Sequence, residues 1–138
     1  MGMRRKSREY ALQLLFQEEL HHQKPRQLFG LFWQENPSPE DIVEFTQKLV
    51  EGVMRNIKEI DQMIEKIATN WKISRMALVD RAILRLASFE LIYCQEIPAS
   101  VTMDEAIEIA RKYGTEESAS FVNGILDKIA KDLKRKDM

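Results

Sequence analysis

The stretch Thr102-Met103-Asp104-Glu105-Ala106-Ile107-Glu108-Ile109-Ala110-Arg111-Lys112-Tyr113-Gly114-Thr115 reads as one helix with a marked start and a marked stop. Thr102 and Glu105 have capping-box spacing, in which each side chain answers the other's free backbone N–H. Ala106, Ile107, Ile109 and Ala110 form an apolar stripe at helical period. Gly114 is the expected C-terminal stop. Thr115 then caps a last helix carrying Phe121, Val122, Ile125, Leu126, Ile129 and Leu133.

The same signals repeat toward the N-terminus. A first helix is predicted from near Arg4 or Ser7 to about Leu20, with Ala11, Leu14 and Leu15 on its buried stripe. His21-His22-Gln23-Lys24 ends it, and Pro25 opens a short second helix with Leu28, Phe29, Leu31, Phe32 and Trp33. Asn36-Pro37-Ser38-Pro39 is the clearest loop; Ser38 is the expected N-cap of a third helix and Pro39 its first residue. Ile42, Val43, Phe45, Leu49, Val50, Val53 and Met54 line that helix. Asn56 is the expected cap of a fourth, holding Ile57, Ile60, Ile64 and Ile67, and Ser74 of a fifth, running through Leu78, Ala82, Ile83, Leu86, Phe89 and Leu91 until Pro98 stops it. No stretch alternates like a strand between hairpin turns. The expectation is an all-α chain of about seven helices with antiparallel neighbours. Its 138 residues fit one ordinary domain with a sizeable core. Pattern alone allows one continuous core or two smaller bundles divided near the Asn36–Pro39 loop.

The formal net charge is −1, so the whole chain is no electrostatic magnet for nucleic acid. Its distribution is uneven. Residues 1–9 hold four basic side chains and one acidic, a net of +3. Residues 128–138 hold five basic and two acidic, again +3, and residues 10–127 carry a net of −7. Basic ends on an acidic body suggest polyanion contact at the ends and a basic protein partner on the body. The single cysteine, Cys94, excludes an internal disulfide and reads as a small packing residue. A reducing, cytoplasmic compartment is consistent with it. No apolar run has membrane-spanning length, and the start is neither a secretory signal nor, with Lys6 where Ser or Thr is required, a myristoylation signal.

Catalysis finds little support. His21 and His22 lack a third partner at metal-ligand spacing and read as a solvated helix end. There is no glycine-rich phosphate loop. Cys94 has no nearby histidine to activate it. Glu18-Glu19, Glu40-Asp41 and Glu116-Glu117 look like helix-start charges or solvated faces. No catalytic residue, cofactor or metal is expected. The best candidate site is the run Arg4-Arg5-Lys6-Ser7-Arg8, followed by Tyr10 and Phe16. Four cations in five residues can neutralise several phosphates. Cations interleaved with aromatics suit single-stranded RNA, whose backbone needs charge and whose bases stack. Composition alone favours a solvated terminus with core aromatics. Arg85, inside an apolar run, needs a partner; Glu90 and Glu105 are the candidates.

Four segments, in order, resemble the NusB family of bacterial transcription antitermination factors. They are Arg4-Arg5-Lys6-Ser7-Arg8-Glu9-Tyr10-Ala11-Leu12-Gln13, Asp80-Arg81-Ala82-Ile83-Leu84-Arg85-Leu86-Ala87, Ile97-Pro98 with Val101 and Asp104-Glu105-Ala106-Ile107-Glu108-Ile109-Ala110, and Phe121-Val122-Asn123-Gly124-Ile125-Leu126-Asp127. The resemblance covers essentially the whole chain. It implies a single domain over residues 1–138 built of two packed three-helix-type bundles, divided at about 1–56 and 57–138. It implies a non-enzymatic role: binding the boxA segment of nascent RNA with NusE, a small-subunit ribosomal protein, in the elongation complex of RNA polymerase and other Nus factors on ribosomal RNA operons. RNA-binding positions fall on Arg4, Arg5, Lys6, Arg8, Phe16, Lys112, Tyr113, Glu117 and Phe121. The acidic position facing NusE falls on Asp80. Ser7 stands where the family's basic run is often unbroken or carries alanine, and Asp104 where asparagine is common. A similar domain also fronts some ribosomal RNA methyltransferases; with no cofactor-binding α/β domain after Met138, this chain is not expected to methylate by itself. A helical interaction scaffold without an RNA role is the third reading. Monomer and homodimer both remain open, because Phe29, Phe32 and Trp33 suit either a core or a dimer surface.

Overall fold

The computed structural model describes residues 2–22 and 24–135. Lys136 and Asp137 of the basic C-terminal run, and Gln23, lie outside the described residues. Seven α-helices follow one another: α1 (Gly2–His21), α2 (Pro25–Glu35), α3 (Glu40–Arg55), α4 (Ile57–Ile67), α5 (Leu78–Tyr93), α6 (Ala99–Tyr113) and α7 (Ser118–Asp132). A short 3-10 turn, Ile73–Arg75, precedes α5, and no strand occurs among the described residues.

Helix α5 is the axis of the fold. Its residues Ala82, Ile83, Leu84, Leu86, Ala87, Ser88, Phe89, Glu90 and Leu91 are all buried. A helix apolar on nearly every side must be covered on nearly every side, and α1, α3, α4, α6 and α7 all pack on it. Helix α2 packs on α1, and α6 pairs with α7. One hydrophobic cluster runs through all seven helices, from Tyr10 and Leu14 through Leu49, Ile60 and Leu84 to Ile129. Phe29 and Phe32 belong to that core, and Tyr10, Phe32 and Trp33 meet edge to face at 5.1–5.7 Å. Cys94 is fully buried, as a packing residue should be.

Gly52 lets α3 approach α5. A Cβ there would lie 2.1 Å from Phe89 Cζ, closer than any real contact. Gly114 does end α6, but not through a left-handed backbone: φ is −98° and ψ −164°. The glycine is required because a Cβ would meet Ser118 Oγ at 2.4 Å. That hydroxyl accepts the Thr115 N–H at 2.9 Å and starts α7. The left-handed positions are His22 (φ 53°) and Lys134 (φ 58°). Lys134 sits in a Schellman end of α7: its N–H donates to Lys131 O at 2.9 Å and Arg135 N–H to Ala130 O at 3.0 Å. The turn sends the Arg135 guanidinium onto the Leu91 and Ile97 carbonyls at 2.8 and 2.9 Å, closing the α5–α6 connection.

Several expected caps are elsewhere. Helix α6 begins at Ala99, with Pro98 as its N-cap, so Pro98 starts α6 and α5 has already ended at Tyr93. Thr102 is therefore inside the helix, where its hydroxyl donates to Glu90 Oε1 at 3.0 Å, and Glu105 accepts from Arg5. Tertiary partners have claimed both halves of the presumed capping box. Ser38 turns its hydroxyl to Asn36 O at 2.9 Å, and Pro39 occupies the N-cap of α3. Ser74 lies in the 3-10 turn, and α5 starts after Ala77. The last helix starts at Ser118 with Glu117 at its N-cap, not Thr115. Asn56 does precede α4, but its amide donates back to Gly52 O at 2.8 Å. Arg85 pairs with Asp61 at 2.9 and 2.8 Å and with Glu19 at 3.9 Å, not with Glu90 or Glu105. The reason is direction: Glu90 faces the start of α1 and α6, whereas Arg85 faces α4 and the end of α1.

Candidate nucleic-acid interface

The basic run occupies the first turns of α1, where successive residues point to different neighbours. Arg4 is exposed, with its guanidinium 4.1 Å from the centre of the Phe45 ring on α3. Lys6 is exposed, 4.7 Å over the Tyr10 ring. Neither forms an ion pair among the described residues, so both charges are available to an anion. Ser7 is buried and donates to Ile42 O at 3.1 Å; it seals α1 against α3, which explains an uncharged residue within the run.

Arg8 differs from its neighbours. It is 4% exposed and forms two hydrogen bonds to Glu90, at 2.8 and 2.7 Å, beneath the Phe45 ring. Thr102 completes the acceptor needs of Glu90. Arg8 was expected among the RNA contacts; in this structure its guanidinium is held in a buried ion pair and is not presented at the surface beside Arg4 and Lys6.

Arg5 and Glu105 form a bidentate pair at 2.8 and 2.6 Å across the α1–α6 seam. The Arg5 hydrogen bonds hold the Glu105 carboxyl below the usual carboxylate range, and the same bonds raise the Arg5 guanidinium. One turn on, Glu9 accepts from Lys112 Nζ at 3.1 and 3.3 Å and from the Tyr113 hydroxyl at 3.2 Å. Hydrogen bonding to Glu9 raises the Lys112 ammonium pKa. Phe16, half-buried, and Tyr113 then share the lining of an open recess of about 300 Å³ on the same seam. Arg5, Phe16, Lys112 and Tyr113 are thus brought together along one face, with Lys6 beside it.

The other expected positions make different contacts. Glu117 is exposed at the start of α7, within 3.4 Å of the Thr115 hydroxyl. Phe121 is half-buried and meets the exposed Trp71 edge to face, at 5.4 Å. Asp80 is half-buried in the first turn of α5, and its Oδ1 is buried without a hydrogen-bond partner among the described residues. Sequence reasoning missed Glu9, which holds Lys112 and Tyr113 in position. The available signal was its place one turn after Arg5, as the acid that directly follows the basic run.

Charge is therefore scarcer here than residue counting suggests. Two of the five cations, Arg5 and Arg8, already hold bidentate carboxylates, and Lys112 shares Glu9. The exposed Arg4 and Lys6, with Lys112, make a modest basic surface.

No helix among the described residues is long and apolar enough to cross a membrane. The family model described as NusB matches residues 5–131. A transcription antitermination protein NusB from Desulfatibacillum aliphaticivorans is 43% identical over 129 residues, covering 94% of this chain and 90% of the relative. The fold is similar to a solved T. maritima NusB, with TM-score 0.87 and 40% identity over 94% of this chain and 91% of that one. It is also similar to a crystal structure of the antitermination factors NusB and NusE in complex with double-stranded RNA, with TM-score 0.87 and 33% identity over 96% of this chain and 98% of that one. The chain belongs to the NusB family, a non-enzymatic family of transcription antitermination proteins.

Proposed function

We propose that this protein is an RNA-binding adapter that holds boxA-like single-stranded RNA along the α1–α6 seam together with the ribosomal protein NusE. The observation that carries this reading is the seam itself, where Arg5, Lys112, Phe16 and Tyr113 meet beside the exposed Lys6. Cations take the backbone and aromatic faces take unstacked bases. Arg4 extends the basic edge toward α3, while Glu117 and Phe121 mark the far end of the RNA path. Arg8 supports this surface from beneath.

Affinity of the chain alone is weak and salt-sensitive, because few cations are free. A basic partner supplies the rest. Asp80 is its contact: a carboxylate oxygen buried without a donor is costly, and a partner's N–H removes that cost. The solved relative with NusE supports this choice of partner. The assembled pair then acts within the RNA polymerase elongation complex, with other Nus factors, on ribosomal RNA operons in the cytoplasm.

That relative carries double-stranded RNA, which favours a second reading in which a duplex is held through its phosphates. Fluorescence anisotropy separates the readings. Single-stranded boxA RNA, its scrambled counterpart and a duplex of the same sequence are titrated with and without NusE. The expected order is boxA strand tightest, with NusE raising its affinity by at least fivefold, within the usual range of coupling. Equal binding of all three probes, or no change with NusE, contradicts the proposal.

A further inference from the structure

Ser7 fastens α1 to α3 from both of its polar groups. Its hydroxyl donates to Ile42 O at 3.1 Å, and the Thr46 hydroxyl donates to Ser7 O at 3.5 Å. Phe45 shares that face of α3 and is thereby set against the Arg4–Arg8 face of α1. Both arginines place their guanidinium groups on its ring, at 4.1 and 5.6 Å from the centre. Arg8 is spent on Glu90. Arg4 is exposed, and the half-buried ring is what it rests on.

A ring and a carboxylate hold an arginine in different ways. Glu105 holds Arg5 through N–H donors, the same groups a phosphate would use, so an anion has to share them or displace the carboxylate. Phe45 attracts Arg4 through the negative face of its ring and offers no lone pair to those donors. The five N–H groups of Arg4 stay open for a phosphate, on a side chain that the ring has already ordered. An ordered arginine gives up less rotamer freedom when it binds. The ring also stands against a competitor. Asp41 and Glu44, both exposed, line the same open recess of about 430 Å³ as Arg4, and neither forms an ion pair with it among the described residues.

We infer that Phe45 is a positioning residue for RNA binding: its ring holds the Arg4 guanidinium, ordered and without a carboxylate partner, where a phosphate meets it. The inference rests on the reading above of Arg4 as a phosphate contact. It adds α3 to the elements that build the basic surface. It also separates two kinds of cation there: Arg5 and Lys112 have carboxylates to share or give up, and Arg4 has none. Because phosphates carry no sequence, the ring serves affinity and not the choice of base.

The test is a double-variant cycle read by RNA affinity. The full chain with NusE is titrated by fluorescence anisotropy with a boxA strand and with its scrambled counterpart. F45L keeps apolar bulk and removes the ring face. It should weaken both strands by the same factor, about two- to fivefold, the size of an exposed cation–ring contact. F45Y keeps the face and should bind like the unaltered chain. In an R4A background, F45L should cause no further loss, because the two residues act as one unit. Circular dichroism checks folding; if F45L loses helicity, F45M takes its place. Three results overturn the inference and leave RNA binding by this surface intact: equal losses with and without Arg4, equal losses in F45Y and F45L, or unchanged affinity in F45L while R4A binds more weakly. A loss confined to the boxA strand overturns it as well. Unchanged affinity in R4A overturns the reading of Arg4 as a phosphate contact and the inference with it.

Discussion

Arg8 and Glu90 form a buried bidentate ion pair, at 2.8 and 2.7 Å, that joins the start of α1 to the middle of α5. Arg4, one turn earlier on α1, is exposed over the Phe45 ring. The first turns of α1 therefore do two jobs. One set of side chains locks the helix down, and another offers charge to solvent.

Breaking the Arg8–Glu90 pair from one side leaves a charge buried without its partner. Arg8→Ala should cost about 3–5 kcal/mol in urea unfolding, and Arg4→Ala should stay within about 0.5 kcal/mol. The double variant R8M/E90L should recover much of the loss, since a buried pair and a well-packed apolar pair are often comparable. Equal stability of R8A and the unaltered chain would show that Arg8 is not held as described.

Glu105 gives the chain a pH-dependent contribution. Its folded carboxyl lies below the usual range because Arg5 donates to it. A depressed carboxyl stabilises the folded state above its unfolded pKa, and that contribution is lost as pH falls through the folded value. The stability difference between the unaltered chain and Glu105→Gln should be largest near neutrality and shrink as pH drops below about 4.5. Arg5 titrates far above the accessible range and adds no slope there. Denaturation at a series of pH values reads this out; a difference that grows on acidification contradicts the pairing.

Gly52→Ala pushes a methyl into the Phe89 ring. The expected cost is about 1–3 kcal/mol, the range for overpacking a filled core. Phe89→Leu should by itself open space and make Gly52→Ala less harmful. Additive losses in the double variant, measured by thermal unfolding, would show that the two sites do not share this contact.

The helical plan was legible because periodic apolar residues and Pro or Gly interruptions are local signals. Pro25, Asn56 and Gly114 each fall at an element end, as their positions suggested. The caps failed where a side chain had a better offer from afar. Thr102 serves Glu90 and Glu105 serves Arg5, and neither partner is visible from within the segment. The site was half legible for a related reason. A run of four cations records charge, but which ones are spent depends on what α5 and α6 present to each face of α1. Arg8 meets Glu90, Arg5 meets Glu105, and only Arg4 and Lys6 keep open charge. Glu9 went unnoticed because its role depends on Lys112 and Tyr113, a hundred residues away in sequence.

Lys134 occupies a left-handed backbone position that glycine adopts without strain. Lys134→Gly should raise stability by up to about 1 kcal/mol, after glycine's larger unfolded-state entropy is counted. The Schellman hydrogen bonds and the Arg135 contacts to Leu91 and Ile97 stay in place. A lowered melting temperature would contradict this geometry.

The central claim is that Arg4, Lys6 and Lys112 carry most of the phosphate contact, with Arg5 adding to it from its pair with Glu105 and Arg8 only supporting them. The salt dependence of boxA RNA binding, measured in the presence of NusE, tests it most directly. Each phosphate contact to a single strand contributes a slope of about 0.7 in log affinity against log salt. The folded triple variant R4A/K6A/K112A should lose a slope of about 2 and bind more weakly at low salt, with its helicity unchanged. An unchanged slope in that variant would contradict the account.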